Sequence, residues 1–343
     1  SANRSSLLAG SKLNFGDVMI YVILNRTPKT EESYAIRALQ IRARVARELG
    51  YFSPYSVAPT TIVDHLIGRK PTIGKNTWKQ YKNALRSHFQ SLTIETDDSV
   101  VLEELHVAIA VLDAESSTGA MKRGTRTSAT KQKGFKQADF DRFLAYLNAN
   151  IGRHRFANAL RTWLLASRVT GLRPSEWEHA GLAEIGGRPC LIVKNGKATN
   201  RRANGMFRTL DLSTTSTADV EAVHEILAML EGYECEMSFG RLQAALTHYM
   251  KRATRACFGS RKTYPTLYSA RHQFAADAKS SGWTQEEVAA LLGHASDDTA
   301  GRHYARARSG QSSIRVAPIG PEIQTVRAKA RPYTAHRRNN PNR

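Results

Sequence analysis

The chain has 343 residues, 41% of them hydrophobic and 23% charged. That length suits two domains, and the composition excludes wholesale disorder. Fifty Lys and Arg against thirty Asp and Glu leave a formal charge of +20. The charge says nothing of the fold, but it calls for a polyanionic partner, nucleic acid before an anionic membrane surface. No apolar run approaches the roughly 18 residues that cross a bilayer, and the N-terminus lacks the apolar stretch of a signal peptide. Three widely spaced cysteines, Cys190, Cys235 and Cys257, read as reduced thiols of an intracellular protein.

Through residue 116 the pattern is helical. Thr30 is placed to cap a helix running to Gly50, with Glu31 and Glu32 in the first turn, where the helix dipole favours acids. From Asn76 to Ser91, Trp78, Tyr81, Leu85 and Phe89 fall on one helical face. Lys75, Lys79, Lys82 and Arg86 line another, a wholly positive stripe suited to a DNA backbone. Residues 117–134 then read as an exposed basic linker rich in Gly, Ser and Thr, with Lys122, Arg123, Arg126, Lys131 and Lys133 able to track phosphates.

Past the linker, Gln137–Asn148 and Arg155–Thr170 are amphipathic helices, the second closed by Gly171. Pro174 suits the first turn of another helix and places Arg173 at its edge. CLIVK (190–194) and MFRTLDL (206–212) read as two strands joined by a long basic turn that carries Lys197, Arg201 and Arg202. Helices resume near Thr217, and one runs from near Thr266 to Gly282. Thr284 with Glu287 forms a capping box, and Ser296, Asp297 and Asp298 start a last helix holding Tyr304. Residues 311–343, with seven Lys and Arg, one Glu and four prolines, read as a basic tail that is disordered or only locally ordered. The expected fold is mainly α with one small antiparallel sheet. The expected domains are 1–116 for DNA binding, 135–310 for catalysis, and the tail 311–343.

Several residues offer chemistry without further knowledge. Arg173 and Arg271 can each fork onto phosphate oxygens. His294, Lys194 and Lys197 can hydrogen-bond to them or exchange protons, and a tyrosine such as Tyr304 can be a covalent nucleophile. No HExxH, Walker A or CxxC motif is present, and Cys235, His248 and Cys257 lack zinc spacing. Neither metal nor cofactor is expected.

The order of these residues is more specific than any one of them. TGLRPSE (170–176), YSAR (268–271), LLGH (291–294) and Tyr304 resemble the tyrosine site-specific recombinases of the lambda-integrase family, with His294 twenty-three positions after Arg271 and Tyr304 ten further on. The resemblance covers about half the chain, Phe135 to Arg308. It implies that Arg173 and Arg271 clamp the scissile phosphate and that Tyr304 attacks it, leaving a 3′-phosphotyrosyl link and a free 5′-hydroxyl. It further implies that His294 assists, that Lys197 (or its neighbour Lys194) protonates the leaving oxygen, and that Glu176 orients Arg173. Tyr268 departs from the family, which has histidine there; tyrosine can donate to a phosphate oxygen but accepts a proton poorly at neutral pH.

The implied partner is double-stranded DNA bearing specific sites. Four protomers on two sites would exchange strands through a Holliday junction, the chain being a monomer or dimer otherwise, with accessory DNA-bending proteins possible partners. Residues beyond Tyr304 would interlock protomers through Ile314, Val316, Ile319 and Ile323. The resemblance also implies an integrase or excisionase of a mobile element acting in the cytoplasm at the nucleoid. A type IB topoisomerase-like nicking and rejoining enzyme and a DNA-binding protein that has lost activity are the alternatives. The charge alone would also serve an RNA-binding protein, for which no motif is present.

Overall fold

In the computed structural model, which describes residues 28–121, 131–196, 198, 203–299, 309–311 and 314–328, apolar residues at helical spacing build two separate cores. The chain divides into two compact units, Ser1–Thr125 and Arg126–Arg343.

Unit 1 is helical throughout its described part: α1 (Pro28–Glu48), α2 (Pro59–Gly68), α3 (Lys75–Glu95) and α4 (Ser99–Ala114). Ile41 and Val45 of α1, Ile62 and Leu66 of α2, Trp78, Leu85 and Phe89 of α3, and Leu105 and Leu112 of α4 share one core. Thr30 lies inside α1 rather than capping it, because the helix already opens at Pro28, whose fixed φ suits a first turn. Asp98 caps α4, accepting from the Val100 and Val101 amides at 2.9 and 3.3 Å.

Unit 2 carries α5 (Gln137–Ala149), α6 (Ala157–Thr170), a 3₁₀ turn (Pro174–His179), β1 (Ala180–Ile185), β2 (Arg188–Lys194), β3 (Phe207–Asp211), α7 (Thr217–Glu234), α8 (Phe239–Phe258), α9 (Leu267–Ser280), α10 (Gln285–Leu291), β4 (Ala317–Pro318) and α11 (Gly320–Gln324). The sheet is antiparallel in the order β1-β2-β3-β4. It is small against the helices, so the fold is mainly α. The segment opened by Pro174 is 3₁₀ and six residues long. Two strands, β1 and the two-residue β4, were not expected from the sequence. Gly171 ends α6 at φ 64°, and a Cβ there would overlap the Phe274 ring of α9. Both facts require glycine, and together they let α6 end directly against α9.

Both described ends of the expected linker are anchored. Ala120 is buried in unit 1 and the Met121 amide donates to Ile73 O at 2.9 Å. In unit 2 the Gln132 amide donates to Tyr264 O at 3.1 Å, and Phe135 is buried. The tail, expected to be disordered or only locally ordered, packs on unit 2 over residues 314–328. Val316 is buried in the main core of unit 2, Ile314 packs against it, and Ile323 packs on Ala289, Ala290 and Val326. Residues spaced through a polar tail gave no periodic signal; the waiting edge of β3 and the face of α10 supply the order.

Candidate active site

The site grows from three chain turns that meet at one carboxylate. The first follows Gly171, where the chain leaves α6 and places Arg173 at the start of the 3₁₀ turn. Its amide donates to Glu176 Oε2 at 2.8 Å and its Nη1 donates to Glu176 Oε1. The second is α9, which presents Arg271 from within the core. Its Nη1 donates to Gly171 O and its Nη2 to Leu292 O, both at 2.7 Å, and Nη1 lies 3.5 Å from Glu176 Oε2. The third is the turn after α10, where Gly293 at φ 62° reverses the chain. His294 follows, its Nε2 3.3 Å from Arg271 Nη2.

A residue not singled out from the sequence completes the cluster. Arg208 of β3 is 1% exposed, and its Nη2 donates to Glu176 Oε2 at 2.7 Å. One signal could have found it. In a strand, alternate residues share a face, and Arg208 falls on the face of Leu210 and Leu212, where a basic residue is out of place. The register confirms the placement, pairing Val193 with Arg208 and Leu191 with Leu210.

Three guanidiniums thus share one buried carboxylate, +3 against −1 counting these side chains alone. Burial disfavours the ionised form of Glu176, yet the Arg208, Arg271 and Arg173 charges hold it well below the usual carboxylate range. The same surroundings act oppositely on His294. Burial first, then Arg271, Arg173 and Arg208, hold it well below the ordinary imidazole value, so it is neutral at pH 7 and able to donate at one nitrogen and accept at the other. A surplus of buried positive charge beside a neutral imidazole suits an anion whose charge grows during reaction.

The other predicted residues distribute unevenly. Tyr268 is half-buried one turn before Arg271; its ring packs on the main core and edge-on to His272, 5.2 Å between centroids. His272 is held down to about 4 by burial, then by Lys133, Arg271 and Lys279. Lys194 is exposed at the end of β2. Lys131 and Lys133 are exposed at the start of unit 2. In unit 1 the basic stripe of α3 splits. Lys75 and Lys79 are exposed, but Lys82 Nζ donates to Glu115 O at 2.8 Å and Arg86 Nε to Asp113 Oδ1 at 2.6 Å. Lys82 and Arg86 therefore reach the C-terminal end of α4, where free carbonyls and the dipole favour cations. Tyr304, Lys197, Arg201, Arg202, Lys122, Arg123 and Arg126 lie outside the described residues. Downstream of Tyr304 the chain is held to α9: Gln273 Nε2 donates to Ser309 O and the Gln311 amide to Asp277 Oδ1, both at 2.8 Å.

No protein-family model matches the chain, and neither does any curated protein. Among solved structures it is similar to a lambda integrase dimer bound to a COC′ core site, at 17% identity over 86% of this chain and 95% of that one, TM-score 0.49. It is similar also to the XerH site-specific recombinase bound to difH substrate, at 16% identity over 77% and 72%, TM-score 0.41. A third is the Tn1549 transposon integrase in complex with a circular intermediate DNA, at 12% identity over 78% and 95%, TM-score 0.38. The chain resembles the tyrosine recombinases. What the site can do is decided by its own side chains. Among the described residues no group of His, Cys, Asp and Glu could hold a metal ion, and no helix is long and apolar enough to cross a membrane.

Proposed function

We propose that the protein is a site-specific DNA recombinase that cleaves and rejoins duplex DNA through a covalent phosphotyrosine. The observation that supports this most is the convergence of Arg173, Arg271 and His294, ordered along the chain as in the tyrosine recombinases, on the one carboxylate of Glu176.

In this reading Tyr304 Oη attacks the scissile phosphorus, a P–O bond to tyrosine forms, and the bond to the 5′-oxygen breaks. The tyrosyl proton leaves to a nearby acceptor, for which neutral His294 is suited, and a hairpin lysine, Lys197 or Lys194, protonates the departing 5′-oxygen. Arg173 and Arg271 stabilise the charge gathering on the non-bridging oxygens. Rejoining is the same step reversed by a 5′-hydroxyl. The phosphotyrosyl bond conserves the energy of the cleaved phosphodiester, so neither ATP nor a metal is proposed to take part. Phosphate contacts supply most of the affinity and base contacts the choice of site. Four protomers on two sites, a Holliday junction and service to a mobile element complete the reading.

The test is a nicked suicide duplex carrying candidate end sequences, incubated in EDTA with wild type and Tyr304→Phe. A denaturant-resistant protein–DNA adduct in wild type and none in the variant is expected, and joining to a second duplex separates a recombinase from a topoisomerase-like enzyme. Tight binding to a site without any adduct would overturn the enzymatic reading in favour of an architectural DNA-binding protein.

A further inference from the structure

We infer that Arg208 is a positioning residue that sets the base of the β2–β3 hairpin against the arginine pocket, so that proton delivery from the hairpin and phosphate binding are held in one geometry. The inference rests on the recombinase reading and adds to it a residue that the motif leaves out.

Arg208 is the point where three chain segments join. Its Nη2 holds Glu176 Oε2 at 2.7 Å, on the 3₁₀ turn that bears Arg173. Its Nη1 donates to Asn195 Oδ1 at 2.5 Å, at the hairpin base. Asn195 in turn closes that base: its Nδ2 donates to Asn204 O at 3.0 Å and Gly205 O at 3.2 Å, and its amide donates to Met206 O at 2.8 Å. The next residue adds a second tie, the Gly196 amide donating to Glu176 Oε1 at 3.2 Å. The third segment is the turn before His294. A Cβ on Gly293 would overlap Asn195 Oδ1 and press on Arg208 Nη1, so the Asn195–Arg208 pair lies directly against the Gly293 backbone.

The residue type fits the task. A planar guanidinium presents donors in a fixed fork and can hold two acceptors on different segments at a set angle; an ammonium is a point charge on a flexible stem and cannot. The position is also unfavourable for stability alone. Arg208 occupies a core-facing place beside Leu210 and Val193, where an apolar side chain would avoid the desolvation of a charge. Among the described residues its Nε is buried with no hydrogen-bond partner, so the side chain keeps its two Nη contacts at the expense of its third nitrogen. Neither lysine of the hairpin needs to touch Arg208 for the coupling to act, since it works through the hairpin base.

The test compares wild type, Arg208→Lys and Asn195→Ala in single-turnover cleavage, with DNA binding and thermal unfolding measured alongside. Asn195→Ala leaves every charge in place and removes the Arg208 contact together with the two side-chain bonds that close the hairpin base. Each variant is assayed on an ordinary suicide duplex and on one with a 5′-bridging sulfur at the scissile position. A thiolate leaving group (thiol pKa about 8.5) needs no proton donor. The expected result is cleavage slowed by about 10- to 100-fold on the ordinary duplex, inside the range general acids contribute. DNA binding should be nearly unchanged and the rate largely restored on the sulfur-bridged duplex. Full cleavage by both folded variants would overturn the inference, and so would a slow rate that the sulfur substrate does not restore. Wild type that forms no adduct on either duplex would overturn the recombinase reading and this inference together; an active wild type with equally active variants overturns this inference alone.

Discussion

The two units handle charge in opposite ways. In the described part of unit 1 a single charged side chain, Arg42, is buried, and the remaining buried residues are apolar. In unit 2 Arg173, Glu176, Arg208, Asp211, Arg271, Asp277, His294 and Asp297 are all buried. Buried charge costs free energy unless it is paired, and the described part of unit 1 takes on little of that cost. Unit 2 accepts the cost where Arg173, Glu176, Arg208, Arg271 and His294 meet. The contrast separates the two units more sharply than the total charge of the chain does.

Two substitutions test the contrast with the largest effects. Trp78→Ala removes a fully buried side chain from the apolar core of unit 1, and a loss of about 3–5 kcal/mol is expected. Glu176→Gln keeps the volume but removes the shared counter-charge of three arginines, and breaking a buried pair costs about 3–5 kcal/mol as well. Hydrogen exchange read by mass spectrometry distinguishes them. Trp78→Ala should release protection in α1 to α4 and spare α6 and α9, and Glu176→Gln should do the reverse. Loss of protection throughout the chain in either case would mean the two cores do not fold independently.

A smaller effect appears with pH. His294 and His272 are neutral in the folded chain at pH 7 and held below the ordinary value by burial and by neighbouring cations. Below about pH 6.5 the unfolded chain binds protons that these two folded sites refuse, so stability is full above that pH and falls as pH drops toward about 4. The Glu176 carboxylate, also held low, adds to the loss below the ordinary carboxylate range. Urea titrations from pH 7 to 5 should show the midpoint falling, and His294→Asn should flatten the trend; a midpoint independent of pH would break the account of the pocket. The smallest effect concerns α3. Lys79→Ala should lower the salt slope of DNA binding by about one released counterion. Lys82→Ala, whose ammonium is already tied to Glu115 O, should leave the slope unchanged and cost a little helix stability instead. Equal slopes for both would place Lys82 on the DNA backbone beside Lys79.

What could be read from the chain alone was local or ordered. Gly171 closes α6, and Thr284 and Glu287 cap α10 reciprocally, at 2.7 and 3.2 Å. The face of Trp78, Leu85 and Phe89 is buried as its periodicity requires. These signals act over a few residues and depend on backbone sterics and orphan amides, so sequence suffices for them. The motif order likewise marks Arg173, Arg271 and His294, which meet at Glu176. The remainder depended on partners distant in sequence. β4 is two residues long and exists only because the edge of β3 is open to it. Lys82 and Arg86 bond to Glu115 and Asp113 because α4 ends beside them. Arg208 belongs to the pocket because a register places it opposite Val193 and within reach of Glu176, thirty-two residues earlier. Pairing across such separations carries no local signature, since the energy that decides it arises only when the segments meet.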